Sequence, residues 1–301
     1  MKATVQSLTE APVAEKSWLA IFCELIKARL TCLVLLTTLV GFYLGNRGAV
    51  DYALMVHALL ATTLVACGAS ALNQWWEREH DAKMRRTEDR PLPSGRLQPE
   101  AVLYFGGACS VAGLIYLALG VNLITGLLGA VTLLTYVLIY TPLKRVTWLN
   151  TAIGAVPGAL PPLMGWTAAR GEITMEGWSL FAILFFWQVP HFLAIAWMYR
   201  DEYAKAGFVM LPGVDSEGGR TGSQAVSHTL ALVVASLCPV AFHVAGVVYF
   251  AGALVLGMAF LAFAIRFSRG LTLPRARQLF LISIIYLPLL LGLMVLDKVK
   301  P

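Results

Sequence analysis

NQWWEREHDAKMRRTEDRPLPSGRL, residues 73–97, follows a long apolar run and is the densest stretch of charge in the chain. Asn73, Glu77 and Asp81 recur every four residues. In a helix they step about 40° around the axis and about 6 Å along it, so all three look out from one face. Three oxygen-bearing side chains spread over about 12 Å suit one or two Mg²⁺ ions and the phosphates those ions carry. Lys83, Arg85, Arg86, Arg90 and Arg96 follow as candidate partners for phosphate oxygens. The plainer reading is a solvated loop in which Glu77 and Asp81 pair with nearby arginines such as Arg85. Position argues for more: Asn73 lies at the edge of an apolar run, where polar groups are costly unless used. Trp75 and Trp76 suit anchoring at a membrane interface.

Working outward, the composition fixes the class. The 301 residues are 58% hydrophobic and 13% charged, where a soluble domain carries about 25% charge. Mean hydropathy is +0.72. Apolar runs near 20 residues then read as membrane helices. Nine are expected: Leu30–Leu44, entered from an amphipathic stretch Trp18–Arg29, then Ala53–Leu72, Val102–Leu119 and Leu123–Tyr140. Leu149–Thr167, rich in Gly and Pro, is the fifth, followed by Trp178–Met198, Ala225–Val244, Val247–Ile265 and Leu279–Leu296. The fold class is thus an all-α polytopic membrane protein. The expected organisation is an N-terminal segment 1–29 with an interfacial helix, one membrane domain 30–296 and a short tail 297–301. The polar segment up to Lys16 lacks an apolar core and a cleavage site, so it does not read as a signal peptide.

Charge sets the topology. With these spans, the 23 Lys and Arg all fall on one side except Arg47, Arg170, Lys298 and Lys300. That bias predicts the N-terminus in the cytoplasm and the C-terminus outside. It also accounts for the sequence pI near 9.1 without a nucleic-acid partner. The five cysteines are scattered with no paired spacing, which argues against a disulfide framework or a zinc site.

Two further constellations lie on the basic side. Tyr140-Thr-Pro-Leu-Lys144-Arg145 stands where a span exits, and its cations either cap a diphosphate or serve topology alone. Trp187-Gln188-Val-Pro-His191 places a polar pair inside an apolar span, and Tyr199-Arg200-Asp201-Glu202-Tyr203 follows about three turns on. Polar residues in a membrane helix are site candidates by default. The alternative is an interhelical hydrogen bond holding a proline kink. Asp201 and Glu202 facing Asp81 across one cavity would make a two-sided metal–diphosphate clamp.

At this point a resemblance becomes specific. Asn73-x-x-x-Glu77-x-x-x-Asp81-x-x-Met84-x-Arg86-Thr87-x-x-Arg90-Pro91 resembles the first acidic motif of the UbiA-type intramembrane prenyltransferases. The tail of that motif is similar to the protoheme IX farnesyltransferase branch. So are Trp187-Gln188-x-Pro190-His191-Phe192, Tyr199–Tyr203, Met210-Leu211-Pro212 and Tyr140-Thr141-x-Leu143-Lys144-Arg145. The resemblance runs from about Lys27 to Leu296. One departure is Glu77, where the superfamily usually carries Asp, which makes this a longer-armed ligand than Asp81.

The resemblance implies a nine-helix UbiA-type bundle in a bacterial-type inner membrane, with a cavity open to the cytoplasm. It implies transfer of a farnesyl group from farnesyl diphosphate to a vinyl group of heme B, with addition of water, giving heme O. Mg²⁺ would be held by Asn73, Glu77 and Asp81, with Asp201 and Glu202 opposite. Lys144, Arg86, Arg90, Arg145 and Arg200 would face the diphosphate, and Tyr140, Trp187, Gln188, Tyr199 and Tyr203 would line the prenyl or heme pocket. His191 is expected to position the heme, as a possible iron ligand. Implied partners are the lipid bilayer and heme A synthase or oxidase assembly proteins. The competing expectations are a quinone-pathway aromatic acceptor and, in a different class, a transporter using the acidic ladder as an ion path.

Overall fold

A computed structural model describes residues 16–299. Residues 1–15 and 300–301, and with them the reading against a signal peptide and the end of the expected tail, lie outside the described residues. Helix α1 (Trp18–Leu25) starts at Ser17, whose hydroxyl accepts from the Ala20 amide at 3.3 Å. The chain then breaks at Lys27, held at a left-handed φ of 48°, and enters α2 (Ala28–Gly45). The expected amphipathic stretch to Arg29 is therefore two pieces with a sharp turn between them.

Asp51 caps α3 (Tyr52–Asp81) by accepting from the Leu54 amide at 2.9 Å. This helix carries on past the apolar run without a break, so residues 73–81 are its last turns and not a loop. Pro99 opens α4 (Pro99–Gly120), where its missing N–H costs nothing. Asn122 caps α5 (Leu123–Leu134). That helix runs through a π-helical turn (Thr135–Tyr140) into the short α6 (Thr141–Leu143). The remainder is α7 (Asn150–Arg170), α8 (Met175–Met198), α9 (Arg200–Lys205), α10 (Leu211–Val214), α11 (Gly219–Ala241), α12 (Val247–Ser268) and α13 (Leu273–Leu296).

Among the described residues, eight helices are long and apolar enough to cross a membrane. The ninth expected span, α7, falls short of that apolarity yet is the most enclosed. It packs against α2, α5, α8 and the π-turn, and nearly all of residues 155–168 are buried. A helix surrounded by protein need not be oily, and its Pro157, Pro161 and Pro162 are tolerated because neighbours cover the freed backbone. The chain is an integral membrane protein of all-α class.

The α2–α7 contact is made backbone to backbone. A Cβ added to Gly41 would collide with the Pro162 carbonyl, and one on Gly165 with the Thr38 carbonyl. Small residues that permit such approach are how helices associate in lipid, where burial of apolar surface gives no net drive. Away from the basic side, the tail closes the bundle. The Asp297 carboxylate accepts from the Tyr249 amide at 2.7 Å, and the Lys298 ammonium donates to the carbonyls of Tyr43 (2.6 Å) and Asn46 (2.8 Å).

Backbone atoms cannot rotate aside, so Gly165→Val is expected to cost at least about 2 kcal/mol of stability. Gly107→Ala, at a position with open space around it, should be neutral. Thermal unfolding of both variants in detergent checks this, and a Gly165→Val protein that melts with the wild type would contradict the packing described.

Candidate active site

The last turns of α3 place Asn73, Glu77 and Asp81 in the interior, at 0%, 5% and 1% exposure. Each meets a cation from a different part of the chain. Lys27, turned inward by the break before α2, donates from Nζ to Asn73 Oδ1 at 2.5 Å. Lys144 Nζ lies 2.7 Å from Glu77 Oε1, and Arg90 Nη1 donates to Asp81 Oδ2 at 2.6 Å. Asn73 Nδ2 donates to Thr141 Oγ1 at 3.0 Å, while Thr141 donates onward to the Tyr136 carbonyl. That second bond uses the hydroxyl proton, so the Asn73 nitrogen must face Thr141 and its oxygen Lys27. Thr87 donates to the Asp81 carbonyl at 2.8 Å and ties the arginine-bearing loop to the helix end. Gln74 docks α1 by donating to the carbonyls of Glu24 and Leu25.

Lys27, Glu77, Asp81, Arg90 and Lys144 line a cavity of about 80 Å³ together with Arg86, Tyr140 and Tyr203, while Asn73 is not among its lining residues. The π-turn admits an extra residue per turn, a feature common at functional sites. It stacks Tyr136 on Tyr140, with centroids 5.7 Å apart. The Tyr140 ring then lies under Lys144, whose Nζ is 4.5 Å from its centroid. Arg86 donates to the Tyr203 hydroxyl at 2.8 Å and covers the Tyr199 ring at 5.2 Å.

The two lysines differ in character. Burial is the largest single influence and works against charge on Lys144, but the Glu77 carboxylate together with Tyr140 and Tyr136 outweighs it and holds the ammonium well above the ordinary lysine range. Burial, with Arg90 and Lys144 nearby, brings Lys27 down to about 7, although Glu77 and Asp81 pull the other way. An added anion would restore the charge on Lys27.

The donor set fits a magnesium ion. It consists of two carboxylates and an amide oxygen on one helix face, and Glu77 Oε1 has the Lys144 ammonium at 2.7 Å as its one close polar neighbour. Among the described residues no three His, Cys, Asp or Glu side chains cluster at metal-binding spacing. Mg²⁺ keeps several waters and takes one or two carboxylates plus substrate phosphates, which this set can supply.

The expected opposite wall is not assembled. Asp201 is exposed, with its carboxylate 3.7 Å from neighbouring Arg200, and neither it nor Glu202 lines the cavity. The reason is angular: α9 turns Tyr203 inward, and a residue two positions earlier is rotated by about 200°. Arg145 is exposed, and Arg200 lies 4.8 Å over Trp197.

The Trp187–His191 group stands elsewhere too. Gln188 faces α7 and donates to the Leu184 carbonyl at 3.1 Å. Trp187 Nε1 donates to the Ser283 carbonyl on α13 at 2.7 Å. His191 is stacked between Trp187 and Phe280, with Nδ1 2.7 Å from Ser283 Oγ. Here the polar residues of α8 bond it to its neighbours and line no part of the cavity. Lys27, Tyr136 and Phe208 were not anticipated from sequence, and Thr141 stands in a quoted motif without an expected role. Lys27 alone left a signal, as a cation between two apolar runs.

Over residues 34–287 the sequence matches the family described as "UbiA prenyltransferase family". A protein of Solibacter usitatus (strain Ellin6076) named "Protoheme IX farnesyltransferase" is 48% identical over 286 residues, spanning 92% of this chain and 98% of its own. Among solved structures, one concerning digeranylgeranylglyceryl phosphate synthase superposes with a TM-score of 0.79 at 16% identity, covering 93% of this chain and 98% of that one. A UbiA homolog from Archaeoglobus fulgidus bound to GPP and Mg2+ gives 0.64 at 15% identity, covering 91% and 99%. At such identities the structures speak to the fold.

Lys144→Met strands Glu77 as a buried, unpaired carboxylate and should cost about 3 kcal/mol of stability. Adding Glu77→Gln should recover most of that loss. Denaturation of both single variants and the double in detergent measures the coupling, and strictly additive losses would show that the two residues do not act as a pair.

Proposed function

Because the chain belongs to the UbiA prenyltransferase family, we propose that it transfers the farnesyl group of farnesyl diphosphate to a vinyl group of heme B, with addition of water, to give heme O. The observation that carries the proposal is the buried Glu77–Asp81 pair set against Lys27, Arg86, Arg90 and Lys144 around one cavity, with Asn73 buried one turn before Glu77 on the same helix. Oxygen donors beside clustered cations suit a diphosphate and the divalent ion that accompanies it. The heme acceptor is supported by the name of the 48% identical relative. The need for Mg²⁺ is supported by the homolog bound to GPP and Mg2+.

In this reading Asn73, Glu77 and Asp81 hold Mg²⁺, which when bound supplies positive charge to the diphosphate oxygens. Lys144, Arg86 and Arg90 take up the charge that builds on the leaving group, the contribution that usually dominates such catalysis. The bond from C1 of the prenyl chain to oxygen breaks, and its electron pair leaves with the diphosphate. The vinyl π pair forms the new C–C bond. Water then adds to the cation beside the porphyrin ring and loses a proton, giving the hydroxyethylfarnesyl group. The faces of Tyr140, Tyr199 and Tyr203 shield the allylic cation from water. Arg145 and Arg200, outside the cavity, draw the anionic substrate toward its mouth.

The charge bias supports an N-terminus in the cytoplasm and a C-terminus outside, and the family resemblance supports an inner membrane of bacterial type. Residues 30–296 form the catalytic membrane domain. The heme product points to heme A synthase or oxidase assembly proteins as partners.

The test uses purified protein in detergent with heme B, farnesyl diphosphate and Mg²⁺, and follows pigment mass by chromatography. A mass gain of farnesyl plus water that requires Mg²⁺ is expected. Asp81→Asn should lower the rate by about 10²-fold or more, whereas Asp201→Asn should stay near wild type. Equal loss in both would mean that α9 turns Asp201 inward with substrate bound. Prenylation of an aromatic acid in place of heme would sink the acceptor assignment.

A further inference from the structure

A second cavity, of about 120 Å³, lies between the start of α7, the middle of α8 and the first turns of α11. Leu149, Val189, Leu193 and Leu211 make it apolar, Trp148 forms a wall, and Gln224 and His228 supply the polar groups. It adjoins the first cavity: Met210 lines one and Leu211 the other. The partition is pinned by the Val209 amide donating to the Lys144 carbonyl at 2.7 Å and by Asn150 Nδ2 donating to the Val209 carbonyl at 2.7 Å.

His228 Nδ1 stands 2.9 Å from the backbone carbonyl of Gln224. A carbonyl only accepts, so Nδ1 carries the ring proton and Nε2 keeps its lone pair. Histidines that bind metals are held in this way, one nitrogen donating to a carbonyl and the other left for the ion. At the exposed rim, Arg220 lays its guanidinium 4.6 Å over the Trp148 ring. Arg220, Gln224 and His228 therefore run at four-residue spacing along one face of α11, over about 12 Å. A ligand that satisfies this stripe is flat and apolar for Trp148 and the leucines. It carries a transition metal for the imidazole and an anionic edge for the arginine.

We propose that this cavity seats the porphyrin acceptor, with His228 Nε2 on the iron and Arg220 on a propionate. The inference rests on the heme reading given above. The space is too small to enclose a macrocycle, so the ligand sits edge-in beside Trp148, with the remainder over exposed Leu149. Heme carries its propionates on one edge and its vinyl groups on the opposite one. Propionates at the rim then turn the vinyl edge toward Leu211, the residue that follows Met210 of the diphosphate cavity.

The experiment titrates ferric heme B into full-length protein in detergent, without farnesyl diphosphate, and records affinity and the Soret and visible bands. Wild type should show an imidazole-ligated spectrum. His228→Ala should weaken binding about tenfold or more and lose that signature, and added imidazole should restore it. Arg220→Gln should weaken binding and keep the spectrum. Binding of magnesium pyrophosphate should survive in both variants, which reports an intact fold. An unchanged spectrum and affinity in His228→Ala, or a loss confined to His191→Ala, overturns the assignment. In either case a wild-type protein that still converts heme B leaves the acceptor reading standing. A wild type that neither binds nor converts heme B brings down both.

Discussion

Three polar side chains at the end of one long helix, buried where the bilayer meets water, set the terms for everything around them. Groups of this kind cost several kcal/mol each unless they are matched. Each of the three is matched from a different direction. The left-handed turn at Lys27 aims an ammonium at Asn73, the π-turn and α6 deliver Thr141 and Lys144, and the loop after α3 folds Arg90 back onto Asp81. Irregularities that look unrelated along the chain thus answer one demand for charge balance. In the proposed reading the same arrangement prepares the site for its chemistry, because the cations held there would pass their contacts to phosphate oxygens.

The scaffold that keeps these groups in register depends on the least oily of the long helices. In lipid, helices gain little by hiding apolar surface from one another, so close packing and backbone approach must do the work. Helix α7, buried on nearly every side and pressed against α2 at its glycines, is the member around which α2, α5 and α8 are placed. Its prolines and glycines are the reason hydropathy undervalues it.

Regular periodicity made much of this readable beforehand. The spans and the Asn73–Glu77–Asp81 stripe follow from spacing within single helices, and there the structure agrees with the expectation. What was not readable depends on neighbours. Whether Asp201 faces the cavity is set by the rotation of a six-residue helix, which no local pattern specifies. A polar residue in an apolar helix has the same sequence signature whether it touches a ligand or bonds to an adjacent helix. In this structure Gln188 and His191 bond to α8's own turn and to α13. Lys27 was hidden because a lone cation between apolar runs also serves topology.

The contacts of Lys298 bear on the order in which the bundle is completed. The carbonyls of Tyr43 and Asn46 belong to the end of α2, which is made early, whereas the ammonium that satisfies them belongs to residue 298. During synthesis α2 enters the membrane with that end uncapped, and α3 to α13 must all be made before residue 298 can close it. The contact between α2 and the turn after α13 thus forms only once α13 has been made, so a chain stalled after α12 contains Asn73, Glu77 and Asp81 but lacks this closure.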